Sequence, residues 1–222
     1  MKKKLDLALI RNIAADYGTP VWVYEADTIR ARIAALKAFD TIRFAQKACS
    51  NTHILRLMRE QGVAVDAVSP GEITRALAAG FSSKQGKSEI VFTADLATEE
   101  TLALVIANEI PMNAGSIDML RQLGEKAPGH RVWLRINPGF GHGHSNKTNT
   151  GGEHSKHGIW HSDLPAALAV IAHYGLKLVG LHMHIGSGVD YRHLQQVCGA
   201  MVDLVKRAGQ DIEAISAGGG LS

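Results

Sequence analysis

Short apolar runs alternate with longer segments of helical spacing along most of the chain. The runs are rich in β-branched and aromatic residues, whereas the longer segments repeat apolar residues every three to four positions. This pattern predicts strands at 41–45, 63–68, 90–94, 110–114, 132–137, 178–185 and 212–217. It predicts helices from about residue 51 and over 69–79, 98–108, 116–126, 162–174 and 191–208. Upstream, we expect a helix over 5–17, a strand at 21–24 and a helix over 26–39.

Strands that alternate with helices at this spacing indicate βαβ units and a parallel sheet. From the strand before Lys47 onward about seven such strands are present, whereas a (β/α)8 TIM-type barrel needs eight. Most distinctive polar residues fall where strands run out into loops, the end at which such barrels build active sites. A doubly wound open sheet is the alternative, but no Gly-x-Gly-x-x-Gly follows the first strand. The sequence therefore predicts an α/β fold, an incomplete (β/α)8 barrel without its eighth strand.

The composition is that of a globular protein, and the length of the chain suits one large domain or two small ones. The 222 residues include 24 basic and 21 acidic side chains, which leave a net charge of only +3. No arginine-rich stretch points to nucleic acid, and no segment is apolar enough to span a bilayer. Asp6 and Arg11 interrupt the apolar run behind the basic start, which argues against export and for the cytoplasm. Two cysteines, Cys49 and Cys198, do not make a disulfide framework.

Lys47 stands at the carboxyl end of a β-prone run, just before the helix-start signal Ser50-Asn51. Strand alternation places it on the same face as Arg43 and Ala45. The structural interpretation is a strand-end lysine in solvent. The chemical interpretation is an amine presented to a carbonyl compound, a known use of lysine in covalent catalysis.

His182 and His184 share one face of a predicted strand that runs into Gly186-Ser187-Gly188. Two inward histidines at the exit of a barrel strand can bind a metal, stack on a planar ligand or form hydrogen bonds in the core. Metal binding needs a further ligand and none is adjacent, so no metal site is predicted here. We favour a ligand role for the pair.

Three glycines, Gly218, Gly219 and Gly220, follow the last predicted strand. Backbone N–H groups of consecutive glycines can close on a phosphate at this position, although the run also suits a plain turn.

Two acidic residues near the second strand have different interpretations. Ser69, the proline that follows it and Glu72 make a capping box, which explains Glu72 structurally. Asp66 faces inward on its strand and needs a partner if it is buried, and Lys47 on the neighbouring strand is a plausible one. Arg135 also faces inward, and its structural alternative is an ion pair inside the barrel.

The glycine- and histidine-rich loop 139–157 contains His142, His144, His154 and His157. Its glycines give flexible spacing, which argues against preset metal-ligand geometry. We predict a mobile loop, poorly ordered without cofactor and substrate, rather than a zinc or nickel site.

Six motifs in order resemble the bacterial diaminopimelate decarboxylases, which are pyridoxal-phosphate enzymes of the alanine-racemase-like barrel class. The motifs are FAQKA (44–48), VDAVSPGE (65–72), RINPG (135–139), SKHG (155–158), HMHIGSG (182–188) and GGG (218–220). The resemblance implies loss of CO2 from the D-configured centre of meso-2,6-diaminopimelate to give L-lysine, the last step of lysine biosynthesis. Many relatives carry phenylalanine where this chain has His157.

The resemblance also implies a role for each candidate residue. Lys47 would hold pyridoxal 5'-phosphate covalently and exchange it for the amine of an amino-acid substrate. His184 would stack on the pyridine ring, and Ser187 with the backbone of 218–220 would bind the phosphate. A supporting polar shell would consist of Asp66, Glu72 and Arg135.

Family members are longer than this chain, which implies a particular organisation. Residues 1–25 would pair with a C-terminal β-domain, and residues 26–222 would form a truncated pyridoxal-phosphate barrel domain. The full-length protein would be a homodimer, and its other half would supply an acidic partner for the pyridine nitrogen. It would also supply a cysteine acid, which neither Cys49 nor Cys198 is. On this interpretation residues 1–222 alone would bind the cofactor weakly and release no CO2.

Three other functions stay open at this point. The first is an ornithine or arginine decarboxylase of the same barrel class, although the long loop 139–157 favours the diaminopimelate branch. The second is a non-catalytic pyridoxal-phosphate-binding protein, which would match this length but would have a complete eighth strand. The third is a truncated product that binds nothing.

Overall fold

The computed structural model describes residues 6–141, 150–188 and 190–220, and the contacts of the chain group into two units, Met1–Asp40 and Thr41–Ser222. Within the described ranges, no helix combines the length and the apolar character that crossing a bilayer requires. Both cysteines carry free thiols, as predicted.

The N-terminal unit contains two helices, and neither of them buries a side chain. α1 (Leu7–Tyr17) begins where the Asp6 carboxylate accepts a hydrogen bond from the Ala8 N–H. α2 (Ala26–Ala34) is shorter than the predicted 26–39. The chain leaves the helix in tighter i to i+3 turns, which carry it as far as Phe39.

The strand predicted at 21–24 is wrong, because this segment adopts no regular secondary structure. Its apolar, β-prone composition produced the prediction. A strand, however, is stabilised by ladder hydrogen bonds to a second strand, and the described sheet is built from other segments. Trp22 of this segment is 88% exposed.

The second unit is organised around one parallel sheet, in which seven of the eight strands among the described residues lie side by side in chain order. The eight strands are β1 (Arg43–Ala45), β2 (Ala64–Ala67), β3 (Ile90–Ala94), β4 (Met112–Ala114), β5 (Arg131–Asn137), β6 (Ile159–Trp160), β7 (Lys177–His182) and β8 (Ala214–Ser216). β6 lies off this path and pairs with the end of β5. The sheet is curled, which confirms the predicted incomplete TIM-type barrel.

Six helices connect the strands of this sheet. They are α3 (Thr52–Glu60), α4 (Pro70–Ala78), α5 (Glu99–Ala107), α6 (Ile117–Lys126), α7 (Leu164–Tyr174) and α8 (Tyr191–Ala208). Hydroxyl side chains start three of them, because Ser69, Thr98 and Ser116 each accept a hydrogen bond from the N–H three residues on. These caps fix the point at which each strand end turns into its helix.

Strand alternation separates an apolar outer face of the sheet from a polar inner face. Outward side chains pack against the helices in one continuous core that includes Val65, Phe92, Leu134 and Leu181. The inner face carries polar and charged side chains, namely Arg43, Asp66, Thr93, Asn113, Arg135 and His182. The predicted inward direction of Asp66 and Arg135 is therefore confirmed.

Trp133 is the large side chain of the inner face, and Gly180 on β7 makes room for it. A Cβ atom at Gly180 would lie 2.3 Å from the indole of Trp133, far inside van der Waals contact. The register between β5 and β7 shifts beside this contact, between Val132 and Trp133. With Val91 and Val179, Trp133 forms a small apolar cluster separate from the main core.

Candidate active site

A cavity of about 600 Å³ opens at the carboxyl ends of the strands. Eight of the nine candidate residues line it, namely Lys47, Asp66, Arg135, His184, Ser187, Gly218, Gly219 and Gly220. The exception is Glu72. Residues far apart in sequence meet here because parallel strands all deliver their carboxyl ends to the same edge.

The sequence suggested that Lys47 lies at the end of a strand. The structure instead places it in a single 3₁₀ turn, Gln46–Ala48, that follows β1. Its side chain is exposed at the cavity. The amine is close enough to Asp66 and His184 for its positive charge to lower the pKa of each. Lys47 is therefore the amine available to a ligand at this end of β1.

Asp66 lies on β2, and its neighbour across the ladder on β1 is Ala45. Burial raises the pKa of Asp66 to about 6, although a hydrogen bond with Thr93 and the charges of Arg43 and Lys47 act in the opposite direction. Its Oδ1 atom is buried without a hydrogen-bond partner. Asp66 thus has an acceptor that no described protein group satisfies.

Arg43, two residues before Ala45, is a second positive charge close enough to Asp66 to lower the pKa of its carboxyl. Burial lowers the pKa of the Arg43 guanidinium to about 10, while Asp66 raises it. Its guanidinium lies 5.9 Å from the ring centre of Trp133, within the range of a cation–π contact. The sequence placed Arg43 on the face of Lys47 but gave it no role.

A string of polar side chains crosses the inner face from Asp66 to His182. Thr93 is close enough to Asp66 to lower its pKa, and Asn113 Nδ2 donates to Thr93 Oγ1 at 3.2 Å. The same amide lies 2.9 Å from His182 Nδ1. Because the amide nitrogen only donates, His182 Nδ1 accepts and the ring proton sits on Nε2.

The two histidines of the HMH motif have different surroundings but are both neutral near pH 7. Burial, helped by the charge of Arg135, lowers the pKa of His182 to about 3 and that of His184 to about 4. β7 ends at His182, so His184 lies beyond the strand on which it was predicted. Its Nδ1 accepts a hydrogen bond of 3.3 Å from the Gly219 N–H.

The run 218–220 forms a tight turn against the chain that follows β7. Gly218 and Gly220 have φ angles of +75° and +84°, in the region that favours glycine. A Cβ atom would lie 2.5 Å from the Met183 carbonyl oxygen at Gly218, and 2.1 Å from that of Gly186 at Gly220. The middle residue, Gly219, has open space around it.

Glu72 lies outside the cavity and serves the start of α4. Ser69 Oγ accepts from the Glu72 N–H at 3.2 Å, as a capping box predicts. The Glu72 carboxylate reaches past Ser69 and accepts from the Val68 N–H at 2.8 Å. The side chain is buried, and these contacts give it a structural explanation.

Arg135 forms the ion pair that was its structural alternative, and it also lines the cavity. Its Nη1 lies 3.5 Å from Oδ1 of Asp95, a residue of the loop after β3. The other carboxylate oxygen of Asp95 lies 2.8 Å from His157 Nδ1. Burial lowers the pKa of Arg135, while Asp95 and Asp66 raise it.

The two described ends of the loop 139–157 are held to the strands. Asn137 Oδ1 accepts from the N–H groups of Gly139 and Gly152, at 3.0 and 2.9 Å. Thr150 Oγ1 donates to the His184 carbonyl oxygen at 2.9 Å. The mobile loop was predicted over 139–157, with His142, His144 and His154 as the alternative metal ligands. Residues 142–149, which include His142 and His144, lie outside the described residues, so the mobility stays a prediction.

The formal charges around the cavity favour an anionic ligand. Three cationic side chains line it, Arg43, Lys47 and Arg135, against two carboxylates, Asp66 and Asp95. Both HMH histidines are neutral, because their pKa values lie at about 3 and 4. The cavity therefore has an excess of positive charge that suits phosphate or carboxylate groups.

Sequence reasoning gave no role to several polar residues that line the cavity, among them Thr93, Asp95, Asn113 and His157. Thr93 and Asn113 could have been found, because they follow the inward parity of their strands. His157 was considered only as part of the loop. Asp95 follows β3 without any periodic signal.

Comparison with known proteins gives consistent matches over nearly the whole chain. Residues 26–222 match the family described as pyridoxal-dependent decarboxylase, pyridoxal binding domain. A diaminopimelate decarboxylase of Escherichia coli K12 is 69% identical over 210 residues, which cover 95% of this chain and 50% of that protein. The chain thus spans about half the length of these curated relatives.

Solved structures give the same relationship. One crystal structure of a diaminopimelate decarboxylase has a TM-score of 0.93 at 67% identity, covering 98% of this chain and 52% of that one. The enzyme from M. jannaschii in co-complex with L-lysine has a TM-score of 0.78 at 28% identity. That match covers 95% of this chain and 53% of the other.

Proposed function

The chain belongs to the pyridoxal-dependent decarboxylase family, and we propose on that premise that the whole protein is a diaminopimelate decarboxylase. The proposed reaction releases CO2 from meso-2,6-diaminopimelate and leaves L-lysine, the last step of lysine biosynthesis. The identity of 69% to a curated diaminopimelate decarboxylase supports this substrate over ornithine or arginine. The observation that carries the proposal is the meeting of eight candidate residues at one cavity.

The residues at the cavity fit pyridoxal 5'-phosphate. Lys47 offers an exposed amine. In the turn 218–220, glycine lets the backbone approach the chain after β7 more closely than a residue with a side chain could. Asp66 Oδ1 is a buried acceptor without a protein partner. When bound, the cofactor supplies the electron sink for loss of CO2.

Each cavity residue then has a task set by its own chemistry. Lys47 would hold the cofactor covalently through its side-chain amine, which a substrate amine can replace. His184 would stack on the pyridine ring as a neutral imidazole, oriented by the Gly219 N–H. Ser187 and the backbone of 218–220 would bind the phosphate.

Two residues of the predicted polar shell lie at the cavity, Asp66 on β2 and Arg135 on β5. Asp66 and Arg135 both line the cavity, and each is partly balanced by a charge of opposite sign. Glu72 belongs to the helix start behind this layer. We propose that Glu72 acts only through the fold.

Assembly and location are also proposals. The M. jannaschii relative binds L-lysine, which supports a small amino acid as the ligand of this cavity. We propose a cytoplasmic homodimer with no nucleic-acid partner, in which residues 1–25 pair with a C-terminal β-domain. Analytical ultracentrifugation of the full-length protein tests the dimer.

The function is tested with the full-length protein supplied with pyridoxal 5'-phosphate. We expect CO2 and L-lysine from meso-diaminopimelate, and no CO2 from ornithine or arginine at equal concentration. Faster release from ornithine or arginine would support the runner-up, a decarboxylase of the same barrel class. Cofactor binding without CO2 from any of the three would support a non-catalytic binding protein.

A further inference from the structure

We propose that Asp95 is a positioning residue, which holds Arg135 and His157 together at the cavity wall so that Arg135 meets a carboxylate of the amino-acid substrate. The inference rests on the proposed function. It concerns three residues that come from the loop after β3, from β5 and from the end of the loop 139–157.

One carboxylate joins both partners. Asp95 Oδ1 lies 3.5 Å from Arg135 Nη1, and both carboxylate oxygens lie close to His157 Nδ1, Oδ1 at 3.0 Å and Oδ2 at 2.8 Å. Because a carboxylate only accepts, His157 Nδ1 carries the proton of this contact. The Asp95 side chain is 41% exposed, whereas those of His157 and Arg135 are 23% and 11% exposed. Asp95 therefore acts from the rim of the cavity on two side chains that lie deeper.

The backbone that follows His157 is held against β5. β6 pairs with the end of β5, Ile136 opposite Ile159. Between His157 and β6, Gly158 has a φ angle of +84°, and a Cβ atom there would lie 3.0 Å from the Asn137 nitrogen. Before Gly158, the contact between His157 and Asp95 ties this segment to the loop after β3, so its loss should loosen the backbone around 154–160.

The ligand that this arrangement suits is a carboxylate. Guanidinium groups recognise carboxylates through paired hydrogen bonds, and the recognition depends on the orientation of the planar fork. The glycine turn 218–220, which follows β8, is the proposed place of the cofactor phosphate, and β8 is several strands away from β3 in the order of the sheet. Arg135 lies on β5 between the two, which leaves its charge to the substrate.

Loss of the Asp95 contact should change binding of the substrate without unfolding the protein. The carboxylate is partly exposed and caps no helix, unlike Ser69 or Thr98. Its removal frees the orientation of Arg135 and of His157 together. Since both contacts pass through one carboxylate, removing either partner should give much of the effect of removing both.

The test uses the full-length protein with the variants Asp95→Asn, His157→Phe and the double variant. We expect KM for meso-diaminopimelate to rise about tenfold in each single variant, and about as much in the double variant. The values of kcat and of the Kd for pyridoxal 5'-phosphate should stay within about twofold of the wild type. The unfolding midpoint should stay close to that of the wild type. Asp118→Asn is the matched control, because it removes a carboxylate from an exposed pair with Arg121 on α6.

A second measurement needs no catalysis. In the cofactor-free protein, Asp95→Ala, which leaves no acceptor for His157, should speed amide hydrogen exchange in peptides that cover 154–160, and Asp118→Ala should not. Unchanged exchange would overturn the inference whether or not the protein is a decarboxylase. Unchanged KM, multiplied effects in the double variant, or a weakened cofactor Kd with unchanged KM would overturn it as well. If the wild-type protein releases no CO2 but the Asp95→Ala variant exchanges faster, the proposed function is refuted and the positioning role of Asp95 is retained.

Discussion

His182 and Asn113 are 69 residues apart, yet the amide of Asn113 donates to His182 Nδ1 at 2.9 Å across the inner face of the sheet. The contact fixes the proton of the neutral imidazole on Nε2. It also ends a string of polar side chains that begins at Asp66 on β2. His182 and Asp66 therefore lie in one connected layer, but burial lowers the pKa of His182 and raises the pKa of Asp66. Their contributions to the free energy of unfolding should thus depend on pH with opposite sign.

His182 should make the protein less stable in acid. Its pKa is about 3 in the folded protein against about 6.5 when unfolded, so the unfolded chain takes up a proton first as pH falls below 6.5. The loss grows from pH 6.5 down to about 3 and reaches about 1–2 kcal/mol at pH 5. His182→Gln keeps an acceptor for Asn113 but cannot titrate, so its unfolding free energy should fall less between pH 7 and 5.

Urea denaturation of the cofactor-free protein at both pH values measures the difference. His53→Gln, on the exposed side of α3, is the control and should follow the wild type. Equal losses in His182→Gln and in the wild type would contradict a neutral, buried His182.

Asp66 should act in the opposite direction. Its folded pKa of about 6 exceeds the unfolded value of about 3.9, so the folded protein keeps the proton longer and loses stability as pH rises from 4 to 6. Asp66→Asn removes that cost. We expect a gain of about 1–3 kcal/mol in unfolding free energy at pH 7 and almost none at pH 4, together with weaker cofactor binding.

The same urea series gives the gain, with Asp203→Asn on the exposed face of α8 as the control. A variant that is less stable than the wild type at pH 7 would mean that the attraction of Arg43 outweighs burial at this position.

The glycine turn offers a comparison among three adjacent residues. Gly218→Ala and Gly220→Ala should each lower the unfolding free energy by about 2–4 kcal/mol, because alanine is strained at positive φ and its Cβ meets a carbonyl oxygen. Gly219→Ala should cost less than about 1 kcal/mol, since its Cβ meets nothing. Thermal unfolding of the three cofactor-free variants decides the matter, and three equal losses would refute the tight turn.

Glu72 should prove dispensable for turnover. In Glu72→Gln the side-chain carbonyl can still accept from the Val68 N–H, so kcat/KM should stay within about threefold of the wild type. Glu72→Ala should lower the unfolding free energy by about 1–2 kcal/mol, since a buried N–H loses its partner. A large fall of kcat in Glu72→Gln at unchanged stability would give the carboxylate a place in the chemistry.

Lys47 should be the residue that carries the cofactor. Lys47→Ala should lose both the absorption band of the bound cofactor and L-lysine formation, because no other amine replaces it at the end of β1. Lys84→Ala, at an exposed position before β3, should retain both. A cofactor that borohydride fixes to some other lysine would refute the assignment.

The sequence predicted the parts of this architecture that depend on local periodicity. Alternation along short strands was enough to place Asp66 and Arg135 on the inner face, and the Ser69 cap was visible from its spacing. The site could be assembled from the sequence because a parallel barrel brings all its strand ends to one edge.

What the sequence did not reveal depends on contacts between distant residues. Asp95 meets His157 62 residues later, and nothing periodic marks either of them. β6 has two residues, too few for a pattern. Residues 21–24 have the composition of a strand, but pairing is a property of two segments and composition describes only one.

The contact between Gly180 and Trp133 has a consequence for how this family can vary. The indole occupies the space that a side chain at position 180 would need, so the two positions share one fixed volume. Neither position can change alone. A side chain at 180 would meet the ring of Trp133, and a smaller residue at 133 would leave the space beside Gly180 unfilled. Relatives with a side chain at 180 should therefore carry a smaller residue at 133, and the pair should be inherited as a unit.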